Sequence, residues 1–151
     1  PRGNTRFPLQ YHPFSLMDIG QSIPVTPPSE TAKIAILTTG TLSVDIATAR
    51  ERCQAPEAFA HYHFPFVKPL DIKRLAEISR QFNQVITAEE GCISGGFGAS
   101  LVPFLMENNQ YMKIKHLGVP DQFIAHGTPE QQKASVGLDV NHLINTLNEC
   151  V

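Results

Sequence analysis

The sequence of 151 residues has no tryptophan, only three cysteines and no cluster of basic residues. Its 12 lysines and arginines and 14 acidic residues give a net charge of −2, which argues against a nucleic-acid interface. The longest apolar run, FGASLVPFLM, is about half of a membrane span and contains a proline. Cys53, Cys92 and Cys150 are odd in number and widely spaced, which favours a reducing compartment over a disulfide framework.

The composition is that of a globular protein, with 42% apolar and 17% charged residues. The first 31 residues are rich in proline and show no helical period, so we predict an extended connector with at most a short edge strand around 21–25. A domain is predicted from residue 32 to residue 151. The chain opens at Pro1, which we interpret as the continuation of a longer polypeptide.

Strand and helix patterns alternate after the connector. Strands are predicted at 33–37, 59–64, 84–90 and 112–118, and helices at 42–53, 72–82, from the glycine turn to about 107, after Thr128 and after Asp139. The predicted apolar stripes are Leu42, Ile46 and Ala49 in the first helix, Ile72, Leu75, Ile78 and Phe82 in the second, and Leu143, Ile144 and Leu147 in the last. This alternation predicts an α/β fold of three α/β/α layers with a mostly parallel five-stranded sheet.

The stretch EEGCISGGFGAS at 89–100 places four glycines between a predicted strand and a predicted helix, where a phosphate-binding loop would lie. The third glycine of a dinucleotide fingerprint is replaced by Leu101, and the lysine of a P-loop is missing. Two adjacent glutamates, Glu89 and Glu90, would also repel a phosphate. The alternative is that the glycines adopt positive φ angles and let the helix start close to the strand.

Three further patterns could belong to a reactive site. His61 and His63 would point to one face of a strand and could form a metal pair, with a third ligand from His116, His126 or Cys92, although structural histidines are more common. Cys92, near a predicted helix start, is a possible nucleophile, but the adjacent glutamates oppose thiolate formation. Glu89 or Glu90 could act as a general base, and only one of them could point into any given site.

Five segments together resemble the carboxy-terminal, third domain of 1-deoxy-D-xylulose-5-phosphate synthases, in the transketolase family. They are PRGN at 1–4, FVKPLD at 66–71, EEGCISGGFGAS at 89–100, LGVPDQFIAHGTPEQQ at 117–132 and GLD at 137–139. The resemblance runs from Pro1 to about Asp139. The second and third segments are shared with the wider family, whereas PRG and HGTPEQQ are typical of the synthases.

The resemblance implies a parent enzyme that uses thiamine diphosphate and Mg²⁺ to join pyruvate to glyceraldehyde 3-phosphate, a step towards isoprenoid precursors. The motifs that hold the cofactor are absent from these 151 residues, so the chain is predicted to be inactive alone and to bind no cofactor or metal. Arg2 matches the arginine that contacts the substrate phosphate. Glu90, Gly95, Gly96 and Gly98 are predicted to lie at an interface with the neighbouring domain.

The partners implied are the amino-terminal and central domains of the same polypeptide and a second subunit of a homodimer, in the cytoplasm or a plant plastid. Two alternatives stay open. One is the docking domain of a 2-oxo-acid dehydrogenase beta subunit or of a transketolase. The other is a small, free-standing α/β binding protein.

Overall fold

A computed structural model describes residues 18–108 and 111–151, which form five strands and five α-helices. The strands are β1 (Ile23–Thr26), β2 (Ile34–Thr38), β3 (Phe59–His63), β4 (Gln84–Cys92) and β5 (Lys113–Val119). The helices are α1 (Leu42–Arg52), α2 (Ile72–Gln81), α3 (Phe97–Glu107), α4 (Pro129–Ser135) and α5 (Val140–Asn148), with a 3-10 turn at Pro56–Ala58 before β3. Strands and helices alternate from β2 to α4.

The strands form one sheet in the order β1-β3-β2-β4-β5. Four of them are parallel, and β1 pairs antiparallel with β3 at one margin. The predicted α/β class with a mostly parallel five-stranded sheet is confirmed. The edge strand expected in the connector is present at Ile23–Thr26, while the boundary between residues 31 and 32 stays a prediction.

The two faces of the sheet each carry an apolar core. Helices α1 and α5 cover one face through Leu42, Ile46, Ala49, Leu143 and Leu147, all fully buried. Leu75, Ile78, Phe97, Leu101 and Leu105 of α2 and α3 cover the other face. Since both faces are covered, the strands are apolar on both sides, as the runs IAIL and QVITA indicate.

One residue of the predicted stripes lies outside the core. Ile72, the first residue of α2, is 55% exposed. The remaining members of that stripe are buried: Leu75, Ile78 and Phe82.

The predicted helix starts and stops are present as hydrogen-bonded caps. Asp71 accepts a bond from Arg74 N at α2, and Asp139 accepts from the backbone at α5. Thr128 and Gln131 bond reciprocally in a capping box at α4. Gly137 after α4 has a φ of +73°, which favours glycine.

The chain reverses its winding direction at the centre of the sheet. The connection through α1 leads from β2 to β3 on one side, and that through α3 leads from β4 to β5 on the other. The carboxyl ends of β2 and β4 are neighbours, and the position between them, which we call the crevice, is where open α/β sheets bind ligands.

Candidate functional site

The loops at the carboxyl ends of β2 and β4 form the candidate site. They comprise residues 39–41, which lead into α1, and residues 89–96, which lead into α3. Each loop ends at a helix amino terminus, whose free N–H groups and dipole favour a negative charge. The crevice would therefore suit a phosphate if its helix termini were free.

The amino terminus of α3 is occupied by the side chain of Glu89. One carboxylate oxygen accepts a hydrogen bond from Phe97 N at 2.8 Å, and the other accepts from Gly98 N at 2.9 Å. Glu89 is only 6% exposed. Its carboxylate thus takes the position that a bound anion would have in a phosphate loop.

The glycines of this loop make the close approach possible. A Cβ on Gly96 would lie 2.3 Å from Cys92 O and from the Glu89 carboxylate. A Cβ on Gly98 would lie 2.3 Å from His116 Nδ1 and 2.4 Å from Thr87 Oγ1. The interpretation that the glycines let the helix start close to the strand is confirmed.

The amino terminus of α1, on the opposite face of the sheet, receives Glu90. Its carboxylate accepts a hydrogen bond from Thr41 Oγ1 at 2.7 Å and pairs with Lys133 Nζ at 3.0 Å. Lys133 also pairs with Asp45 Oδ2 of α1 at 2.8 Å, so the ammonium lies between two carboxylates. This ion-paired cluster joins β4, α1 and α4.

The Glu90 cluster shifts the pKa of Glu90 and the pKa of Lys133. Burial raises the pKa of the Glu90 carboxyl, but the hydrogen bonds from Thr41 and Lys133 outweigh burial and hold that pKa below its ordinary value. Burial lowers the pKa of Lys133, yet its bonds to Asp45 and Glu90 raise it overall. Both groups are therefore charged at neutral pH.

Strand geometry explains why two adjacent glutamates have separate roles. Successive side chains of a strand point to opposite faces, so Glu89 points towards α3 and Glu90 towards α1. The expectation that only one of them could point into a given site is confirmed. Glu89 therefore caps the amino terminus of α3, and Glu90 lies beside the amino terminus of α1 through the Thr41 hydroxyl.

The predicted histidine pair does share one face of β3, but it lies in a buried hydroxyl cluster. His61 Nε2 lies 2.9 Å from Thr38 Oγ1 and 3.3 Å from Ser43 Oγ, and Thr38 Oγ1 also lies 3.5 Å from His63 Nδ1. Burial, with a contribution from His63 and Arg50, lowers the pKa of His61 to about 3. His61 is therefore neutral at physiological pH.

The other candidate metal ligands are separate from this pair. His116 Nδ1 lies 2.8 Å from Thr87 Oγ1 between β4 and β5, and His126 is exposed in the loop after β5. No group of three or more histidine, cysteine or acidic side chains within 18–108 and 111–151 could hold a metal ion.

The remaining predicted site residues lie in different environments. Glu90 and Gly95 are exposed, Gly96 is half-buried and Gly98 is buried, so the first two are accessible to another domain. Cys92 is half-buried at the end of β4 opposite Val119, and its nucleophilic role stays a hypothesis. All three cysteines are free. Arg2 lies outside the described residues.

Two clusters at the site have no local sequence signal. Lys133 meets Asp45 across 88 residues of chain, and Ser43 meets His61 across 18. Only the tertiary fold brings these side chains together, and no motif marks them.

Comparison with known families identifies the family of this fold. The model of the transketolase carboxy-terminal domain matches residues 25–143. The chain belongs to the transketolase C-terminal domain family. The resemblance of the FVKPLD and glycine-turn motifs, which lie inside the matched residues, to this family is thereby confirmed.

Curated relatives of this transketolase C-terminal domain are named 1-deoxy-D-xylulose-5-phosphate synthase. The Bacteroides fragilis protein is 39% identical over 108 residues, which cover 70% of this chain and 17% of that protein. The Vibrio cholerae protein is 36% identical over 141 residues, with coverages of 92% and 22%. The Phocaeicola vulgatus protein is 32% identical, with coverages of 97% and 23%. The chain spans about a fifth of the length of these relatives.

Solved structures show the same fold. A split-gene transketolase, described as an inactive beta4 tetramer, matches with a TM-score of 0.79 and 23% identity over 94% of this chain and 46% of that chain. The transketolase of Campylobacter jejuni matches with a TM-score of 0.59 and 18% identity over 86% of this chain and 18% of that chain. Within the described residues, none of the helices is both long and apolar enough to traverse a bilayer.

Proposed function

We propose that this chain is the carboxy-terminal domain of a 1-deoxy-D-xylulose-5-phosphate synthase, an enzyme that joins pyruvate to glyceraldehyde 3-phosphate with loss of CO₂. The observation that supports this most is that relatives with that name match up to 97% of this chain, at 31–39% identity. The solved transketolases support the fold alone, because identities of 23% and 18% are too low to indicate a substrate.

The cofactor of that reaction does not fit the described residues. Thiamine diphosphate would need free donors for its diphosphate, but Glu89 and Glu90 place carboxylates at the two helix amino termini of the crevice. The same residues offer no cluster of three ligands for Mg²⁺. We therefore assign cofactor and metal binding to the other domains, and we propose that this chain is inactive alone.

The role that suits this domain is docking on the cofactor-binding part of the polypeptide. Glu90 and Gly95 are exposed at the carboxyl edge of the sheet and are accessible to such a partner. We further propose that the whole enzyme is a cytoplasmic homodimer.

Within that enzyme, Arg2 is proposed to bind the phosphate of glyceraldehyde 3-phosphate. A guanidinium offers two parallel donors to a phosphate and stays charged at any working pH. Replacement Arg2→Ala in the full-length enzyme should lower kcat/KM for glyceraldehyde 3-phosphate about ten- to a hundredfold, since a charge-assisted bond contributes about 1.5–3 kcal/mol. Steady-state kinetics with each substrate varied in turn measures this effect.

The matched control is Arg6→Ala, which removes a nearby arginine that the PRG motif does not include. We expect the KM for pyruvate to stay nearly unchanged in both variants. If Arg2→Ala leaves the kinetics of the phosphorylated substrate unchanged, or if Arg6→Ala has an equal effect, the assignment of Arg2 is wrong.

A further inference from the structure

A cavity of about 410 Å³ opens at the amino ends of the parallel strands, at the opposite edge of the sheet from the crevice. Its volume is within the range of small-molecule sites in proteins. Gln84 is the first residue of β4 and pairs with Ile34, the first residue of β2, and both line the cavity. Glu90 follows six positions later in β4, so the cavity lies roughly 20 Å from the crevice.

The apolar wall of the cavity is part of the core beneath α1 and α5. Ile34 and Ala58 are buried members of that core, and Cys150, two residues after α5, packs against it. Strand pairing fixes the first two, because Ile34 lies between Gln84 of β4 and Phe59 of β3, the residue after Ala58. This wall is therefore preformed, and an apolar group can contact it without a rearrangement of the fold.

The polar part of the cavity presents donors that lack acceptors. Gln84 Nε2 is buried and has no hydrogen-bond partner among the described residues. Lys33, directly before β2, also lines the cavity, is exposed, and forms no ion pair with a side chain that the structure describes. None of the described lining residues is acidic. Native folds leave few buried donors unpaired, so these two side chains suit a ligand that supplies oxygen acceptors.

Charge limits which acceptor fits the cavity. Lys33 supplies one positive charge, and Gln84 supplies a neutral N–H donor. The carboxyl ends of α2, at Gln81, and of α5, close to Cys150, lie at the same cavity. The partial negative charge of a helix carboxyl end disfavours a strongly charged anion. A single carboxylate therefore matches these groups better than a phosphate, which carries about two charges.

We propose that this cavity binds a small organic carboxylate. The carboxylate accepts hydrogen bonds from Gln84 Nε2 and from the Lys33 ammonium, and the short apolar body packs against Ile34, Ala58 and Cys150. A hydrogen bond to a charged acceptor is stronger than one between neutral groups. The site belongs to this chain alone, so it goes beyond the proposed function and does not depend on it.

The test is a titration of the ¹⁵N-labelled 151-residue chain at neutral pH, followed by nuclear magnetic resonance of the backbone amides at 33–34 and 83–84. Butyrate is the probe, and butyramide is the matched neutral control, because it has the same shape without the charge. We expect saturable shifts with butyrate at a Kd of about 1–10 mM, as is usual for a ligand of this size. Butyramide should bind at least about tenfold more weakly, since the charge-assisted bonds are lost. Butyl phosphate should also bind more weakly than butyrate.

Substitutions of the two donors test their roles. Lys33→Gln should weaken butyrate binding about tenfold, because it removes the only charge that the cavity offers to the ligand. Lys73→Gln removes the same charge from an exposed position in the first turn of α2 and should leave the Kd unchanged.

Gln84→Met removes the unpartnered donor and keeps a side chain of similar length, so it should weaken butyrate binding about fivefold. The midpoint of unfolding in urea should stay the same or rise in this variant, because an apolar group replaces a buried donor that has no partner in the fold. A residue with only a structural role would not combine lost binding with unchanged stability.

The carboxylate site is wrong if butyrate causes no shifts at these amides at about ten times the expected Kd, or if butyramide or butyl phosphate binds as tightly as butyrate. It is also wrong if Lys73→Gln weakens butyrate binding as much as Lys33→Gln, because attraction by net charge alone would then explain the shifts. A clear fall of the urea midpoint in Gln84→Met would show that the amide has a structural partner, which would overturn its assignment as a binding group.

Discussion

The two sides of the sheet's carboxyl edge differ although adjacent glutamates build them. On the α3 side, Glu89 is 6% exposed and accepts two backbone hydrogen bonds. On the α1 side, the side chain of Glu90 is 39% exposed and is held by a hydroxyl and an ammonium group. The same chemical group is thus used once as a buried helix cap and once as a half-exposed ion pair.

How much a carboxylate stabilises the fold therefore depends on its exposure to solvent and on the kind of group that donates to it. Backbone donors to a buried charge are fixed and shielded from water, so each bond contributes about 1.5–3 kcal/mol. An ion pair near solvent contributes about 0–1 kcal/mol, because water and salt screen it and two long side chains must be ordered. The α3 side should therefore dominate stability, although the α1 side has more charges.

Replacement Glu89→Gln should cause the largest loss. The amide oxygen of glutamine can accept one of the two helix N–H bonds, but its NH₂ group would face the other donor. We expect the free energy of unfolding to fall by about 2–3 kcal/mol, measured as a lower midpoint in urea with an unchanged slope. A loss no larger than that of Glu90→Gln would show that the buried cap at α3 stabilises the fold no more than the half-exposed ion pair at α1.

Acidification should destabilise the α1 side through His61. The unfolded state binds a proton at His61 below pH 6.5, but the folded state stays neutral until about pH 3. Stability should therefore fall as the pH decreases from 6.5 towards 3, with a loss of about 2 kcal/mol at pH 5. Denaturant unfolding between pH 7 and 5 measures this slope.

The variant His61→Gln should flatten that slope, and His126→Gln, at an exposed position, should leave it unchanged. Part of the slope should remain in His61→Gln, because burial also lowers the pKa of His63. A slope identical to that of the unmodified chain would show that His61 does not titrate as a buried neutral group.

Replacement Glu90→Gln should have the smallest effect, at most about 1 kcal/mol at neutral pH, because its ion pair is half exposed. The pKa of Glu90 lies below its ordinary value of 4.5, so the stabilisation is present above pH 4.5 and is lost as the pH falls through the folded pKa. The unmodified chain and the variant should converge in stability at low pH. A constant difference down to pH 2 would show that the carboxylate charge is not the cause.

The sequence predicts the layers of this fold well and the contacts of its site poorly. The spacing of the apolar residues predicts the bounds of the strands and helices to within a few residues. Caps such as Asp71 and Thr128 can also be predicted, because the partner of each is only three residues away in the sequence. Ile72 is the exception, since a helical period does not show which residue of the apolar stripe is the first to be covered by the core.

The site itself depends on distant pairs. Strand alternation predicts that Glu89 and Glu90 separate, but the partner of each depends on which helix lies on each face. The contacts of Lys133 with Asp45 and of Thr38 with His61 join segments far apart in sequence. Such contacts follow from the strand order, which the sequence pattern leaves undetermined.

The central claim is that Glu89 occupies the amino terminus of α3 and that Glu90 lies beside the amino terminus of α1. Its most direct test is calorimetric titration of the 151-residue chain with thiamine diphosphate and Mg²⁺. We predict no binding heat at millimolar cofactor. Saturable binding with a micromolar Kd would contradict the claim, because the diphosphate would have to displace the Glu89 carboxylate from α3 or bind next to the Glu90 carboxylate at α1.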